Sequence, residues 1–352
     1  MGFFEPRDEE LRAALKRFEG RRLFVAVLGS PDPDGLSSAW ALSLIAKHLG
    51  VRMDILTFEV ISRPDNAQFV RLLGIPFRQV RERLPRIRYE GFAVVDRQNA
   101  RLPVPASRAL PLVAHIDHHA VVRTQALFSH RDPACGSTAT ILSHYLDRFL
   151  PEWPEDPELI RRVATALMVG IRTDTQDLLN AGPADFEAAA RLAPHVSSEW
   201  IRAIVRTPWG HAFLSSLGTA LRTAVTSNGF TVAFAGRVNR KDRDSIGQTA
   251  DFLNQADGTE SVVVFGIVNN QIVGSFRTIR ADLSPYEFLE RAFAKRLGWP
   301  VDCGGRRYSG GFQVPLAGLK DLADEQIRSA VSDALISEWE DRPRRRTRSR
   351  CS

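Results

Sequence analysis

Residues 22–50 read RLFVAVLGSPDPDGLSSAWALSLIAKHLG. RLFVAVLG is a short apolar run of strand type, SPDPDG has the composition of a loop, and Leu36–Leu49 is an apolar helical stretch that Gly50 closes. Upstream, Glu9–Phe18 has amphipathic helical spacing and Gly20 stands past its end as a stop. Downstream, VRMDILTF (51–58) reads as a strand, RPDNAQFVRLLG (63–74) as a helix, and GFAVV (91–95) and PLVAHI (111–116) as two more strands. Strands alternating with helical segments predict βαβ units, hence an α/β domain with a largely parallel sheet covered on both faces.

From Cys135 to about Ala220 the pattern is helical. Strands return as FTVAFAGRV, SVVVFGIV and QIVGSFRT, interleaved with helices, and a last helix precedes the C-terminal residues. The organisation expected is an N-terminal α/β domain over 1–195, a helical connector over 196–227, a smaller α/β domain over 228–341 and a tail over 342–352.

The chain has 352 residues, 44% hydrophobic and 25% charged, which is the composition of an ordinary globular protein and excludes a collagen-like or globally disordered chain. No apolar run approaches the ~18 residues of a membrane helix, and the opening MGFFEPRDEELRAALKR has no signal-peptide pattern. Cys135, Cys303 and Cys351 form neither a disulfide framework nor a zinc pattern, so a reducing cytoplasm is the expected compartment. The formal charge of +6 resides in the tail, where RPRRRTRSRCS holds six arginines and no acid. Without it the chain carries 41 basic and 41 acidic residues. The tail is expected to be disordered; such a run can touch RNA, DNA or anionic lipid, and weak RNA or DNA contact is the partner expected here.

The acids of the N-terminal half are placed unevenly. Asp32 and Asp34 follow the first strand, Asp96 directly follows GFAVV, and Asp117 directly follows LVAHI, bringing His118 and His119 with it. Asp174 ends the apolar helical run VATALMVGI plus RTD. In a parallel sheet these positions share the carboxyl edge, where open α/β folds bind ligands. Each piece alone has an ordinary reading: a turn for Asp-Pro-Asp-Gly, a loop cap for Asp96, a helix terminus for Asp174. Their conjunction at strand ends points to divalent cations, because crowded carboxylates repel one another unless a cation joins them. Oxygen donors with one imidazole suit Mn²⁺ or Mg²⁺. Two ions sharing a carboxylate and a hydroxide is the arrangement used to hydrolyse phosphoesters and phosphoanhydrides. GSPDPDG lacks the ending of a P-loop and the GxGxxG of a dinucleotide site, and the chain has no GxSxG elbow.

These residues resemble the DHH phosphoesterase family, named for the tripeptide that stands here as Asp117-His118-His119. SPDPDGLSSAWAL is similar to the family's first motif, VVD (94–96) to its second, IDHHA to its third and GIRTDT to its fourth, with GSTATIL (136–142) resembling the helix start after the third. VVVFGIVNNQIVGSFRT and CGGRRYSGGF resemble the strands and glycine-rich loop of the associated C-terminal substrate-binding domain, the DHHA1 type. Within the family the nearest resemblance is to the oligoribonuclease and pAp-phosphatase (nanoRNase) group.

The resemblance implies one metal ion on Asp34, Asp96, His118 and Asp174, with Asp96 bridging to a second ion on Asp32. Where the family places a histidine four residues before the first aspartate, this chain has Leu28, so that second ion's site is expected to be weakened. Arg306 replaces a family histidine in the glycine-rich loop, and Arg307 matches the family arginine. His119 is expected to donate a hydrogen bond to a phosphoryl oxygen, while Gly304, Gly305, Arg306, Arg307 and Arg277 would bind a substrate phosphate. The implied activity is Mn²⁺- or Mg²⁺-dependent hydrolysis, through a metal-bridging hydroxide, of a phosphodiester or phosphomonoester in a short oligonucleotide or small nucleotide. Cyclic-dinucleotide hydrolysis, pyro- or polyphosphatase activity and a non-hydrolytic nucleotide-binding module are the alternatives. The substrate would lie between two domains, and a homodimer is compatible with this reading.

Overall fold

The computed structural model describes residues 5, 7–105, 109–119, 124–151, 156–305, 308–316 and 322–342. The chain divides into two units, Met1–Pro208 and Trp209–Ser352.

The first unit begins with α1 (Asp8–Lys16), β1 (Arg22–Val27), α2 (Pro33–His48), β2 (Arg52–Thr57), α3 (Pro64–Leu73) and β3 (Phe77–Gln79). It continues through β4 (Phe92–Val95), β5 (Leu112–Asp117), β6 (Phe128–Arg131) and four helices: α4 (Thr138–Phe149), α5 (Pro157–Asp174), α6 (Pro183–Leu192) and α7 (Ser198–Val205). Local chemistry sets the helix starts. Asp32 caps α2 by accepting from Gly35 N–H at 2.9 Å, and Pro33 occupies a first-turn position whose N–H has no partner to lose. Ser137 caps α4 in the same way by accepting from Thr140 N–H at 3.0 Å.

The sheet runs β3-β2-β1-β4-β5-β6 with every pair parallel. The chain therefore builds outward from β1 through β3 on one side, then returns to build β4 through β6 on the other. The strand order reverses between β1 and β4, and Val27 pairs with Val95, so Leu28 and Asp96 leave the sheet side by side.

Alternation along β1 explains its continuous burial. Leu23, Val25 and Val27 join the large cluster formed with residues of α1 through α7. Phe24, Ala26 and Leu28 join a second cluster with Leu56, Val80, Tyr89, Phe92, Val94 and Val104, in which Phe24 stacks on Phe92 at 5.6 Å. The helices thus cover one face, and residues 80–90 and 96–105 cover the other. A parallel sheet needs both faces dry, and apolar loop residues suffice for that. Two short strands have no sequence signal. β3 is FRQ, and β6 (FSHR) has a histidine and an arginine inside it.

The second unit comprises α8 (His211–Thr223), β7 (Val225–Ser227), β8 (Phe230–Arg237), α9 (Asp244–Leu253), β9 (Ser261–Val268) and β10 (Gln271–Thr278). α10 (Pro285–Glu290), β11 (Asp302–Gly305), β12 (Ser309–Pro315) and α11 (Asp324–Glu340) complete it. Its sheet, β11-β12-β10-β9-β8-β7, is mixed: β8 and β9 are parallel and the other pairs antiparallel. α8 and α9 cover one face with small residues such as Ala220 and Ala250, while α10, α11 and residues 291–297 bring an aromatic layer to the other. The division between units falls inside residues 196–227. α7 packs on α3, and α8 on β8. Among the described residues no helix is long and apolar enough to cross a membrane. Residues 343–352 of the arginine tail lie outside the described residues.

Three further histidines are buried outside the metal-ligand candidates: His115, His130 and His144. Burial disfavours the imidazolium and lowers all three pKa values. Burial favours the neutral ring at each, so through these groups the unfolded chain binds more protons below its own histidine pKa of about 6.5. Each ring should therefore subtract stability as pH drops from about 7.5 to 5.5, with a slope of up to about 1.4 kcal/mol per pH unit, while the raised pKa values of Asp34 and His118 act in the opposite sense. Urea unfolding of the wild type beside His144→Gln across that range isolates one ring, and a variant whose stability falls as steeply as the wild type's would contradict it.

Candidate metal centre

The carboxyl edge at the β1–β4 reversal gathers four side chains from four elements. Asp34 comes from the first turn of α2, Asp96 from the residue after β4, His118 from just past β5, and Asp174 from the end of α5. One ligand atom from each lies within 4.8 Å of every other. His118 Nε2 is 3.1 Å from Asp174 Oδ2, 3.5 Å from Asp96 Oδ1 and 3.9 Å from Asp34 Oδ2.

Asp34 is fully buried. Thr138 N–H donates to its Oδ2 at 2.9 Å and Ala139 N–H to its Oδ1 at 2.6 Å, so the N-terminus of α4 holds the carboxylate. These bonds do not settle its charge. Burial, and then the neighbouring Asp96 and Asp174, push its pKa well above the ordinary carboxylate range. His118 shows the complementary effect: burial opposes its charging, yet Asp174, Asp96 and Asp34 together raise its pKa well above that of free imidazole.

The donor set fits a hard divalent cation. The His118 Nδ1–H donates to the Cys135 carbonyl at 3.4 Å, which leaves Nε2 as the lone-pair nitrogen aimed at the acids. That Nε2 is buried with no hydrogen-bond partner among the described residues. Three carboxylates and one imidazole, without a thiolate, suit Mn²⁺ or Mg²⁺.

His119 points to a different partner. Its Nδ1 donates to Asp117 Oδ1 at 2.6 Å, and Asp117 Oδ2 accepts from Arg131 at 2.9 Å. Asp117 is buried, which opposes its ionisation, but the His119 hydrogen bond and Arg131 hold its pKa down at about 2. The first letter of the Asp-His-His run is thus an orienting group. No sequence signal marks Arg131 as its partner, since the two meet only through the β5–β6 pairing.

Several close approaches make the cluster possible. A Cβ on Gly170 of α5 would meet Ser37 Oγ at 2.7 Å and Pro33 O at 3.1 Å, so only glycine lets α5 bring Asp174 this close to α2. Asp96 has φ of 52°, a left-handed conformation uncommon for a residue with a side chain, and it sits at the reversal point. Buried Asp185 of α6 accepts from Gly136 N–H (2.9 Å), Gly182 N–H (2.8 Å) and the Thr140 hydroxyl, and so anchors the start of α4. Sequence reasoning missed Asp185, because nothing near Pro183 marks it as reaching back nearly fifty residues.

The remaining expected site residues are placed as follows. Asp32 lies outside the four-residue group and caps α2, yet it flanks Gly35 together with Asp96: Asp32 Oδ1 and Asp96 Oδ2 are each 3.4 Å from where a Gly35 Cβ would stand. Leu28 belongs to the apolar cluster of the loop-covered face. The Arg277 guanidinium is engaged by Asp251 at 2.6 Å, Ser275 Oγ at 2.7 Å and the Phe276 carbonyl at 2.9 Å. Gly304 and Gly305 pair with Gly311 and Gly310 in the β11–β12 ladder. Strand packing demands glycine at 305, where a Cβ would meet Ser309 O at 2.5 Å, whereas space above Gly304 is open. Arg306 and Arg307 lie outside the described residues.

Residues 24–171 match the model of the DHH family, N-terminal domain. This segment is a DHH-family N-terminal domain. The match starts within β1 and ends three residues before Asp174, so it spans the other three residues of the cluster. An uncharacterized protein of Methanocaldococcus jannaschii is 31% identical over 311 residues, covering 87% of this chain. The chain spans 61% of the length of that curated relative. Among solved structures, an exopolyphosphatase-related protein from Bacteroides fragilis is similar with a TM-score of 0.67 and 11% identity, over 94% of this chain and 96% of that one. RecJ from Thermus thermophilus in complex with Mn²⁺ is similar with a TM-score of 0.52 and 16% identity, over 96% of this chain and 56% of that one. At such identities the likeness is one of fold.

Asp185→Ala tests the support of the DHH-domain site. It leaves two backbone N–H groups and a hydroxyl without their acceptor, which should cost about 2–4 kcal/mol in urea unfolding. It should also weaken Mn²⁺ binding in calorimetry, because the start of α4 then holds Asp34 less firmly. A variant with wild-type stability would show that the anchor is dispensable.

Proposed function

We propose that this protein is a metal-dependent phosphoesterase acting on a short oligonucleotide or small nucleotide. The observation that carries the reading is the convergence of Asp34, Asp96, His118 and Asp174 at the reversal point of a DHH-family domain. The names of the structural relatives, a Mn²⁺ complex and an exopolyphosphatase-related protein, support metal-dependent phosphate chemistry without selecting a substrate.

In this reading Asp34, Asp96, His118 and Asp174 hold one Mn²⁺ or Mg²⁺ ion. Asp96 is shared with a second, weaker position beside Asp32, where both carboxylates flank Gly35. When bound, such ions supply Lewis acidity, neutralising phosphoryl charge and acidifying water. The family resemblance assigns residue 28 to that second position, and because Leu28 is an apolar member of the loop-covered cluster, oxygen ligands alone would hold the second ion. Asp117 fixes the His119 ring by accepting from Nδ1, and we assign Nε2 of His119 to a phosphoryl oxygen of the substrate. Thr138 serves twice, its N–H on Asp34 and its hydroxyl toward Asp96 at 3.4 Å, so the α4 start orients both acids. Gly304, Gly305, Arg306 and Arg307 are assigned to capture of a substrate phosphate, the open space above Gly304 admitting a close approach. Arg277 is left out of that set because Asp251 and Ser275 already use its guanidinium.

The test is a Mn²⁺ hydrolysis panel of pAp, a linear dinucleotide, a cyclic dinucleotide, pyrophosphate and a longer RNA. Turnover of pAp or the dinucleotide is expected, and Asp96→Asn should lower it by more than about 100-fold. Pyrophosphate as the preferred substrate would replace the reading by a phosphoanhydride hydrolase. Mn²⁺-dependent binding of nucleotide without any product would replace it by a binding module.

A second variant addresses the departure at Leu28. Leu28→His should lower the Mn²⁺ concentration for half-maximal activity by roughly tenfold, the scale on which one imidazole changes a metal site. An unchanged Mn²⁺ dependence would remove residue 28 from the ligand shell.

A further inference from the structure

The net charge of the chain without its tail is zero, yet residues 78–101 hold seven arginines against three acids. The structure places residues 80–90 and 96–101 of this stretch on the loop-covered face of the first sheet. Val80 N–H donates to the Thr57 carbonyl at 2.7 Å, at the carboxyl end of β2, and Glu90 N–H donates to the Arg22 carbonyl at 2.9 Å, at the start of β1. Residues 81–89 therefore cross the whole face, from the edge that carries the metal cluster to the opposite one. Val80 and Tyr89 are buried and Leu84 and Ile87 half-buried against the sheet, which turns Arg81, Arg83 and Arg86 outward, all exposed. Residues 96–105 lie on the same face, anchored by Val104 and by Leu102, and expose Arg97 and Arg101.

Arg97 joins this face to the site. It follows Asp96 directly, and its guanidinium lies over Gly29, with Nη1 3.0 Å and Cζ 3.4 Å from where a Cβ would stand. The backbone around it is fixed from beneath: His115 Nε2 donates to the Arg97 carbonyl at 2.6 Å, and Arg131 donates to the Gln98 carbonyl at 2.8 Å. Arg88 is paired with Glu90, but Arg81, Arg83, Arg86, Arg97 and Arg101 make no ion pair among the described residues. Five unneutralised guanidiniums on rigidly backed loops form a surface for a polyanion.

We propose that this face binds the phosphate backbone of a single-stranded oligonucleotide whose scissile end lies at the metal cluster. The inference rests on the phosphoesterase reading and selects an oligonucleotide over a mononucleotide as substrate class. A nucleic acid is favoured over an inorganic phosphate chain because half-exposed Pro85 and exposed Gln79 stand among the arginines. Bases can use those groups, as they can stack on guanidinium planes, and a bare phosphate chain cannot.

The experiment measures binding of a fluorescent, all-phosphorothioate single-stranded RNA dodecamer to the full chain with Mn²⁺ present, by anisotropy from about 50 to 250 mM KCl. Each phosphate contact contributes about 0.7 to the slope of log K against log salt, so Arg81→Ser/Arg83→Ser/Arg86→Ser should lower the slope by about 2 and weaken binding roughly tenfold or more. Arg81→Ser and Arg101→Ser singly should each lower it by about 0.7, which keeps the test valid if the triple variant folds poorly. Wild-type slopes in the single variants would overturn the proposal. Displacement of the RNA by inorganic polyphosphate as readily as by unlabelled RNA of equal charge would overturn the choice of nucleic acid. Hydrolysis does not enter the measurement, so an inactive but RNA-binding protein would refute the phosphoesterase reading alone, and an active protein with a flat slope would refute this one alone.

Discussion

A carboxylate with no solvent access, facing two others, sets the terms for the first unit. Asp34 is 0% exposed, and an isolated ionised group in such a place costs several kcal/mol. The two backbone N–H bonds from α4 offset part of that, at about 1.5–3 kcal/mol for each bond to a charged acceptor. The repulsion from Asp96 and Asp174 remains, and either a proton on one of the carboxyls or a cation between them relieves it. Much of the surrounding structure serves the two bonds that can be made in advance. Asp185 anchors the residues before α4, Ser137 caps the helix, and Gly170 lets α5 close against α2. Asp34 thus depends on a chain of contacts that reaches α6 without involving another ligand.

Topology decides which loops share this task. In a parallel sheet that reverses its winding, the two strands at the reversal send their following loops in opposite directions, and a crevice opens between them. Here those strands are β1 and β4, and the residues they release into the crevice lead to Asp34 and Asp96. The helices all pack on one face, so the connections beyond β3 and β4 are left to cover the other. Loops can do so because Val80, Tyr89 and Val104 supply the apolar contacts a helix would otherwise bring. Backbone between such anchors faces solvent, and side chains there are unconstrained by packing.

The parts of this arrangement that are legible in the sequence have short-range causes. Apolar runs of strand length identify β1, β4 and β5, and an aspartate just past such a run is at a strand end whatever the rest of the fold does. That rule alone locates Asp34, Asp96 and His118 at the sheet edge. The hydrophobic run of α5 ends at Asp174 for the same reason. β3, β6 and β7 are illegible because pairing alone makes them strands, three or four residues having no room for a periodic signal. Asp185 and Arg131 are illegible for a related reason. Each is an ordinary charged residue whose partner is brought to it by tertiary packing, and no spacing rule links Asp185 to Gly136 or Arg131 to Asp117. Asp32 shows the limit in the other direction. Its position in the motif is clear, while its helix-capping bond to Gly35 appears only in the folded chain.

Charge has the same two levels. Summed over the chain without its tail, 41 bases cancel 41 acids, and the sum suggests no preference for phosphate. Coulomb interactions respond to distance, and screening at physiological salt confines them to about 8 Å. At that range the relevant quantity is the local excess, and the fold separates the signs. Carboxylates are drawn into the crevice by strand ends, and arginines are turned outward by the apolar anchors of the covering loops. A phosphate chain approaching that face meets guanidiniums at a distance and cation-seeking carboxylates only at the edge. The acids repel it there unless metal ions intervene. Under the proposed function, metal loading would therefore decide whether the reacting phosphate can enter, while the arginines would act on the rest of the chain whether or not the ions are bound.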